Sequence, residues 1–419
     1  MDAVSATPRA AAVDGLPVGT RAAILFWRFG PYHHARLNAA GQRMSVWGVE
    51  ACGMEDTYAW AKIEGAAAFT RVTLTDRDLD SRTWKQELQR KMRRTLDEIK
   101  PQVVAIPGWN FTDALSGLLW CAETNTPAVI MSESTAWDEP RQFWKEWIKG
   151  RLVKMCAAGL AGGTPHADYL AQLGLDRNRI SVGYDIVDND HFAKQAAEIR
   201  TREPELRRQY GLPEKYFLAS ARFIEKKNLA RLLEAYARYR ALAEKSATTP
   251  WNLVLLGDGP LREVLDAQIL ALNLGGQVTL PGFKQYDELP AYFGLAGAFV
   301  HASTTEQWGL VVNEAMASGL PVLVSNRCGC AQDLVRDGEN GFTFDPGNTE
   351  EMAERMWQLS TLSSSQRSAM GAASQKIIAG WGPERFANGL RSAATLALKN
   401  PRPKAGILDR MLLRLLLRR

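Results

Sequence analysis

The stretch STTEQWGLVVNEAMASGLPVLVS, residues 303–325, decides the fold. The apolar run 297–301 just before it reads as a buried strand, and 321–325 at its end reads as a second one. Between them a polar turn carries Glu306. Gly309 then opens a helix that carries Glu314 and stops near Gly319. Free backbone N–H groups at such a helix start favour an anion, a diphosphate among them. Carboxylates are acceptors for the hydroxyls of a sugar or a ribose. Two glutamates beside one helix N-terminus therefore suit a nucleotide-sugar, with its phosphates at the helix end and its hydroxyls on the carboxylates.

Outward from this unit the same alternation continues. Strand-like runs at 22–27, 72–74, 103–106, 128–131 and 157–161 are separated by helical patterns that include 84–99 and 113–123. A second series follows at 216–220, 252–256, 278–280, 298–301 and 322–325, with helices at 230–244 and 261–272. Strands alternating with helices predict parallel sheets covered on both faces. The chain has 419 residues, more than one hydrophobic core usually serves. The expected fold class is α/β, with two Rossmann-like doubly wound domains facing a central cleft. The expected organisation is a disordered leader at 1–20, an acceptor domain at 21–195, a donor domain at 205–380, a helix within 381–400 and a basic amphipathic tail at 401–419. The first boundary falls in charged, apolar-poor text around 185–214.

Composition narrows the class. A 46% hydrophobic and 23% charged chain with net charge +5 is an ordinary globular protein, and that charge does not demand nucleic acid. No apolar run reaches the length that spans a bilayer, about 18 residues. Five scattered cysteines fit a reducing compartment, and Cys328-Gly-Cys330 has no second pair with which to hold zinc. The expected location is the cytoplasm.

Other motifs carry chemistry at strand ends. Arg222 and Lys227 follow the strand at 216–220, where two cations can clamp a diphosphate and stabilise it as a leaving group. Lys226 is the alternate, and a solvated charge run is the plain reading of the pair of lysines. Gly257 and Gly259, in LLGDGPL, permit close backbone approach to a ligand, but the text is no dinucleotide fingerprint. In IPGWNFTDALSG, residues 106–117, Trp109 and Asn110 either meet a sugar or, for Trp109, fill the core.

The region from about Ser220 to Trp381 resembles the signature of the retaining glycosyltransferase family 4, of GT-B fold, and the N-terminal half resembles it more weakly. That resemblance implies that Glu306 contacts the donor sugar and Glu314 the ribose. It implies that Trp308, Gly309 and Leu310 set backbone groups against sugar and phosphate, although the family usually has Gly or Phe near Trp308. It implies that Arg222 and Lys227 hold the diphosphate and that Phe283 and Lys284 lie near the nucleobase. Gly30 stands where the family has a Gly-rich loop over the phosphates, with His33 and His34 either at the ligand or on the surface. Glu133 stands where a polar family residue faces the donor sugar, and its charge suits a cationic anomeric carbon. Gly162, Gly163 and His166 are placed along the cleft, and the helix within 381–400 is expected to cross back onto the first domain. Neither metal nor cofactor is expected.

The expected function is transfer of a hexose, with retention, from a UDP- or GDP-sugar to a glycan or lipid-linked acceptor. A basic amphipathic helix at 139–155, with Arg141, Lys145 and Lys149 on one face, and the tail 401–419 suggest an anionic membrane surface, the inner face of the plasma membrane. The rivals are a sugar-nucleotide epimerase of the same fold and a non-catalytic binder of anionic polymer or membrane.

Overall fold

A computed structural model describes residues 16–17, 19–54, 67–77, 81–400 and 405–418. The leader expected at 1–20 lies almost wholly outside them, as do residues 401–404 of the tail. The first sheet has seven strands: β1 (Arg21–Phe26), β2 (Ser45–Met54), β3 (Thr70–Arg77), β4 (Val103–Pro107), β5 (Ala128–Ser132), β6 (Ala158–Ala161) and β7 (Ile180–Val182). They lie in the order β3-β2-β1-β4-β5-β6-β7. The second sheet has β8 (Tyr216–Ser220), β9 (Asn252–Leu256), β10 (Val278–Gly282), β11 (Ala298–His301), β12 (Val322–Ser325) and β13 (Gly341–Phe344), in the order β10-β9-β8-β11-β12-β13. Every pairing in both sheets is parallel. The strand order reverses between β1 and β4 and between β8 and β11, and ligands of open α/β sheets bind outside the strand ends at such switch points.

Local sequence explains most of these elements. Helix Arg82–Ile99 starts where the Ser81 side chain accepts the Trp84 N–H, and Trp84, Leu88, Met92 and Leu96 form its buried stripe. The pattern missed β2, β7 and β13. Strand β2, SVWGVEACGM, buries Glu50, a residue that argues against a core strand. Tertiary contacts satisfy it: Arg71 Nε donates at 2.8 Å, Thr73 Oγ1 at 2.6 Å and the Phe29 N–H at 2.9 Å. Strands β7 and β13 are only three and four residues long.

Helix Pro383–Lys399 returns to the first domain. Its Phe386, Leu390, Ala393 and Ala397 share one core with Ala22, Ile24, Leu160 and Ile186. Each fully buried Leu or Phe side chain contributes about 1.5–3 kcal/mol. Gly389 allows the close approach, because a Cβ there would lie 2.8 Å from the Val182 carbonyl oxygen. The tail is a docked helix, Ile407–Leu416, rather than a frayed end: Leu413 and Leu417 enter the first domain's core and Arg414 pairs with Glu123 at 2.8 Å.

Candidate active site

The 303–325 unit builds one corner of the cleft at the β8/β11 switch point. Glu306 leaves β11 in a loop pinned to the next crossover, its N–H donating to Arg327 O at 3.3 Å and its carbonyl accepting from Gly329 N–H at 3.1 Å. Lys227 Nζ, from the loop after β8, donates to Glu306 Oε2. Ser303 Oγ donates to the same oxygen at 3.2 Å, His301 Nε2 lies 3.4 Å from it, and Lys226 Nζ stands 3.8 Å from Oε1. Burial opposes charge on Glu306, but the His301 hydrogen bond and the Lys227 charge outweigh it and hold the carboxyl well below its ordinary range. Burial lowers His301, which leaves it neutral at physiological pH. The site therefore presents an ionised carboxylate and two ammonium groups.

Gly309, at φ +102°, turns the chain into helix Leu310–Ala317, with Leu310 at its first position. Glu314 sits in that helix, 1% exposed. Its Oε1 accepts from the Tyr32 hydroxyl, across the cleft, at 2.5 Å, and its Oε2 has no protein donor. Burial pushes this carboxyl up to about 8, against the smaller effect of the phenol's hydrogen bond. Tyr32 meets Tyr286 edge-on at 6.0 Å, and Tyr286 stacks on His191 at 4.4 Å. Phe283 is exposed on the same loop.

Across from Glu306 stands Glu133, half-buried just past β5. It feels the charges of Glu306 and Lys226, which places it at the cleft. Arg222 lies exposed on the loop after β8, four residues before the lysine pair. Gly257 seats that loop: at φ +121° a Cβ would lie 1.8 Å from Ala221 O, and Phe223 N–H donates to Asp258 O at 2.8 Å. The glycines hold the Arg222 loop against β9.

Several of the expected residues have structural partners. Trp308 is buried, its indole N–H donating to Asn313 Oδ1 at 2.9 Å and its rings lying 5.0 Å from Trp381 and 5.5 Å from His166. Only its backbone can face a ligand. Trp109 belongs to the first domain's core beside Tyr169. Gly30 and His166 cap helices. The Gly30 N–H donates to His33 Nδ1 at 3.2 Å at the start of helix Pro31–Gly41, and Gly163 N–H donates to His166 Nδ1 at 3.1 Å at the start of helix Thr164–Gln172. His33 is accordingly internal, pushed down to about 3 by burial. His166 keeps its proton on Nε2, which donates to Gln307 O at 2.8 Å and so joins the two domains. Asp333 reinforces that seam, accepting from Thr164 N–H at 2.8 Å and Thr164 Oγ1 at 2.7 Å.

Of the basic face expected at 139–155, Arg141 and Lys149 are turned inward, while Lys145 is half-exposed over the Trp144 ring. The helix is Phe143–Val153, and Lys149 is buried on Glu139 at 2.7 Å and Glu146 at 3.1 Å, while Arg141 pairs with Asp138 ahead of the helix. The exposed side carries Phe143, Trp144 and Trp147 instead. Arg151 Nε ties this helix to Asp409 of the C-terminal helix at 2.8 Å, and Ile407, Leu408, Met411 and Leu415 are exposed there. Sequence reading passed over Tyr32, Arg36, Asp185, Asp333 and His301. Only His301, a polar residue closing an apolar strand, had a local signal.

Two parallel sheets with a cleft at both switch points define the GT-B class of fold, and the solved structures that share it agree. A UDP-glucose complex of Anabaena Alr3699/HepE superposes with a TM-score of 0.66 at 20% identity, covering 90% of this chain and 99% of that one. Within the chain, residues 202–377 match the family described as glycosyl transferases group 1. Among relatives, the alpha-D-kanosaminyltransferase of Streptomyces kanamyceticus is 30% identical over 219 residues, 51% of this chain and 54% of the relative. The alpha-monoglucosyldiacylglycerol synthase of Acholeplasma laidlawii is 32% identical over 137 residues, 32% of each. The chain thus spans about half the length, or less, of these curated relatives.

Proposed function

We propose that the chain is a retaining glycosyltransferase that moves a hexose from a nucleotide-diphosphate sugar, of UDP or GDP type, to a glycan or lipid-linked hydroxyl. The observation that carries this reading is the Glu306 corner, where an ionised buried carboxylate, Lys227 and Lys226 meet at the β8/β11 switch point opposite Glu133. Lys227 and Arg222 take the diphosphate, and the start of helix Leu310–Ala317 adds backbone N–H groups. Glu306 binds the sugar and Glu314 the ribose. The anomeric carbon–phosphate oxygen bond breaks, the acceptor oxygen bonds to that carbon from the same face, and its proton passes to the leaving phosphate. The cations do this work without a metal ion. The test is thermal shift and turnover with UDP-, GDP-, ADP- and dTDP-sugars, with Glu314→Ala and Arg222→Ala as controls. One nucleotide class is expected to stabilise the wild type and neither control. A shift that persists in both controls overturns the site, and activity lost in EDTA and restored by magnesium overturns metal independence.

We also infer peripheral contact with an anionic membrane. No helix among the described residues is long and apolar enough to cross one. The support is the aromatic face of helix Phe143–Val153 beside the aliphatic face of helix Ile407–Leu416, with Arg410 and Arg414 at hand. A groove of about 510 Å³ lies against these helices, lined by Trp147, Arg151, Lys154, Tyr169 and Asp409. Leu408→Ser with Met411→Ser is expected to abolish cosedimentation with phosphatidylglycerol vesicles, and unchanged cosedimentation refutes the contact.

A further inference from the structure

The transferase reading gives the donor's ribose to Glu314, yet no ribose reaches that carboxyl while Tyr32 stays where it is. Glu314 is 1% exposed, and its Oε1 accepts from the Tyr32 hydroxyl at 2.5 Å. Tyr32 belongs to the other domain, as the second residue of helix Pro31–Gly41, which follows β1. Its ring nevertheless packs against the second domain's core, the cluster that holds Phe192, Phe293, Val312 and Ala315. Tyr286, on the loop after β10, meets that ring edge-on, with centroids 6.0 Å apart and planes at 77°. Tyr286 has its own supports: His191 stacks on it at 4.4 Å, and Phe192 meets it edge-on at 5.4 Å. A phenol O–H on a carboxylate oxygen makes the bond that a ribose O–H makes, with the same kind of donor and the same acceptor. A carboxylate oxygen can accept a second bond, but burial leaves no approach for one. The two hydroxyls therefore compete. Exchanging one for the other keeps Glu314 hydrogen-bonded, which costs far less than leaving a buried oxygen without its donor.

We propose that Tyr32 is a latch on the ribose subsite: its hydroxyl stands in for a ribose hydroxyl on Glu314 Oε1, joins the two domains there, and is displaced when a nucleoside diphosphate enters. The proposal rests on the transferase reading. The phosphate end of the cleft lies outside the latch, because Arg222 and Lys226 are exposed and Lys227 is half-buried on the loop after β8. Phosphate groups therefore engage first, and the ribose then takes the phenol's place. A ligand that must open a latched state binds more weakly by the fraction of molecules already open. Weakening the latch raises that fraction and tightens binding. The gain is confined to ligands that carry a ribose.

Calorimetric Kd values of UDP, GDP and inorganic pyrophosphate on the full chain test this, for the wild type, Tyr32→Phe and Tyr32→Leu. Tyr32→Phe is expected to bind one nucleoside diphosphate about two- to ten-fold tighter than the wild type, the worth of one hydrogen bond. Pyrophosphate, which has no ribose, is expected to bind both alike. Equal or weaker nucleoside diphosphate binding in Tyr32→Phe overturns the latch, since the phenol then ignores the ribose site or helps to build it. Pyrophosphate that tightens by the same factor also overturns it, because Tyr32 then acts on the cleft as a whole. Should Tyr32→Phe fail to fold, Tyr32→Leu removes the hydroxyl, keeps an apolar side chain and is read against the same outcomes. A nucleoside diphosphate that binds the variant and not the wild type is the strongest support. UDP and GDP that bind neither the wild type nor the variants sink the transferase reading, and the latch with it.

Discussion

Glu306 and Glu314 lie eight residues apart in one segment, both buried, yet their surroundings push them in opposite directions. Glu306 is ringed by Lys227, Lys226, Ser303 and His301 and stays ionised far below neutrality. Glu314 meets only the Tyr32 hydroxyl and is pushed up to about 8. The difference teaches that position along the chain delivers a carboxylate to a cleft, whereas the cations on the neighbouring crossover set its charge. Glu306 is therefore equipped to act on charge that develops in a reaction, and Glu314 to exchange hydrogen bonds with a hydroxyl.

Removing each acid in turn gives the largest contrast. Glu306→Gln is expected to lower kcat by about 10²–10³-fold. Glu314→Gln should act chiefly on donor KM, and steady-state kinetics separate the two. A kcat loss of equal size in both variants breaks the comparison. Next in size, Lys227→Met leaves Glu306 buried without its main cation and is expected to cost about 3 kcal/mol in urea unfolding. The double variant Lys227→Met/Glu306→Gln should recover most of it, and failure to recover shows that Lys227 acts in folding through other contacts.

A pH dependence comes third. The folded Glu314 carboxyl holds its proton to about 8 while the unfolded one releases it near 4.5. Between those values the native state binds more protons, so wild-type stability must fall as pH rises, by up to about 1.4 kcal/mol per pH unit from this group. Glu314→Gln removes that slope, and Tm measured at pH 5 and pH 8 compares the two proteins. A wild type and variant with parallel Tm values across that range contradict the burial argument. Smallest is Tyr32→Phe, which leaves Oε1 without its donor at a cost of about 1 kcal/mol. Because the phenol lowers Glu314, its loss should move the midpoint of the same slope to higher pH.

Much of the fold was legible because the signals are local. Apolar runs bounded by Gly, Pro and Asp marked ten of the strands, and Ser81 with a four-residue apolar stripe marked helix Arg82–Ile99. Strand β2 was hidden because its buried Glu50 is paid for by Arg71 and Thr73 on a neighbouring strand, which no window of sequence contains. The same limit governed the site. Glu306 and Lys227 were named because each follows a strand in a loop at a switch point. Trp109 was left between a sugar and the core because an indole has the same signature in both. The basic stripe of Arg141 and Lys149 looked like a membrane face until Glu139 and Glu146 were seen to claim it.

The sequence by itself determined the alternating α/β pattern, the two domains' worth of strands and the placing of Glu306, Glu314, Arg222 and Lys227 at strand ends, because periodicity and turn chemistry act over a few residues. Only the tertiary structure decided which carboxylate is charged, that Lys227 reaches Glu306, and that Tyr32 closes on Glu314. Those contacts join residues 79 and 282 positions apart, and burial makes each of them strong by removing the water that would otherwise screen it.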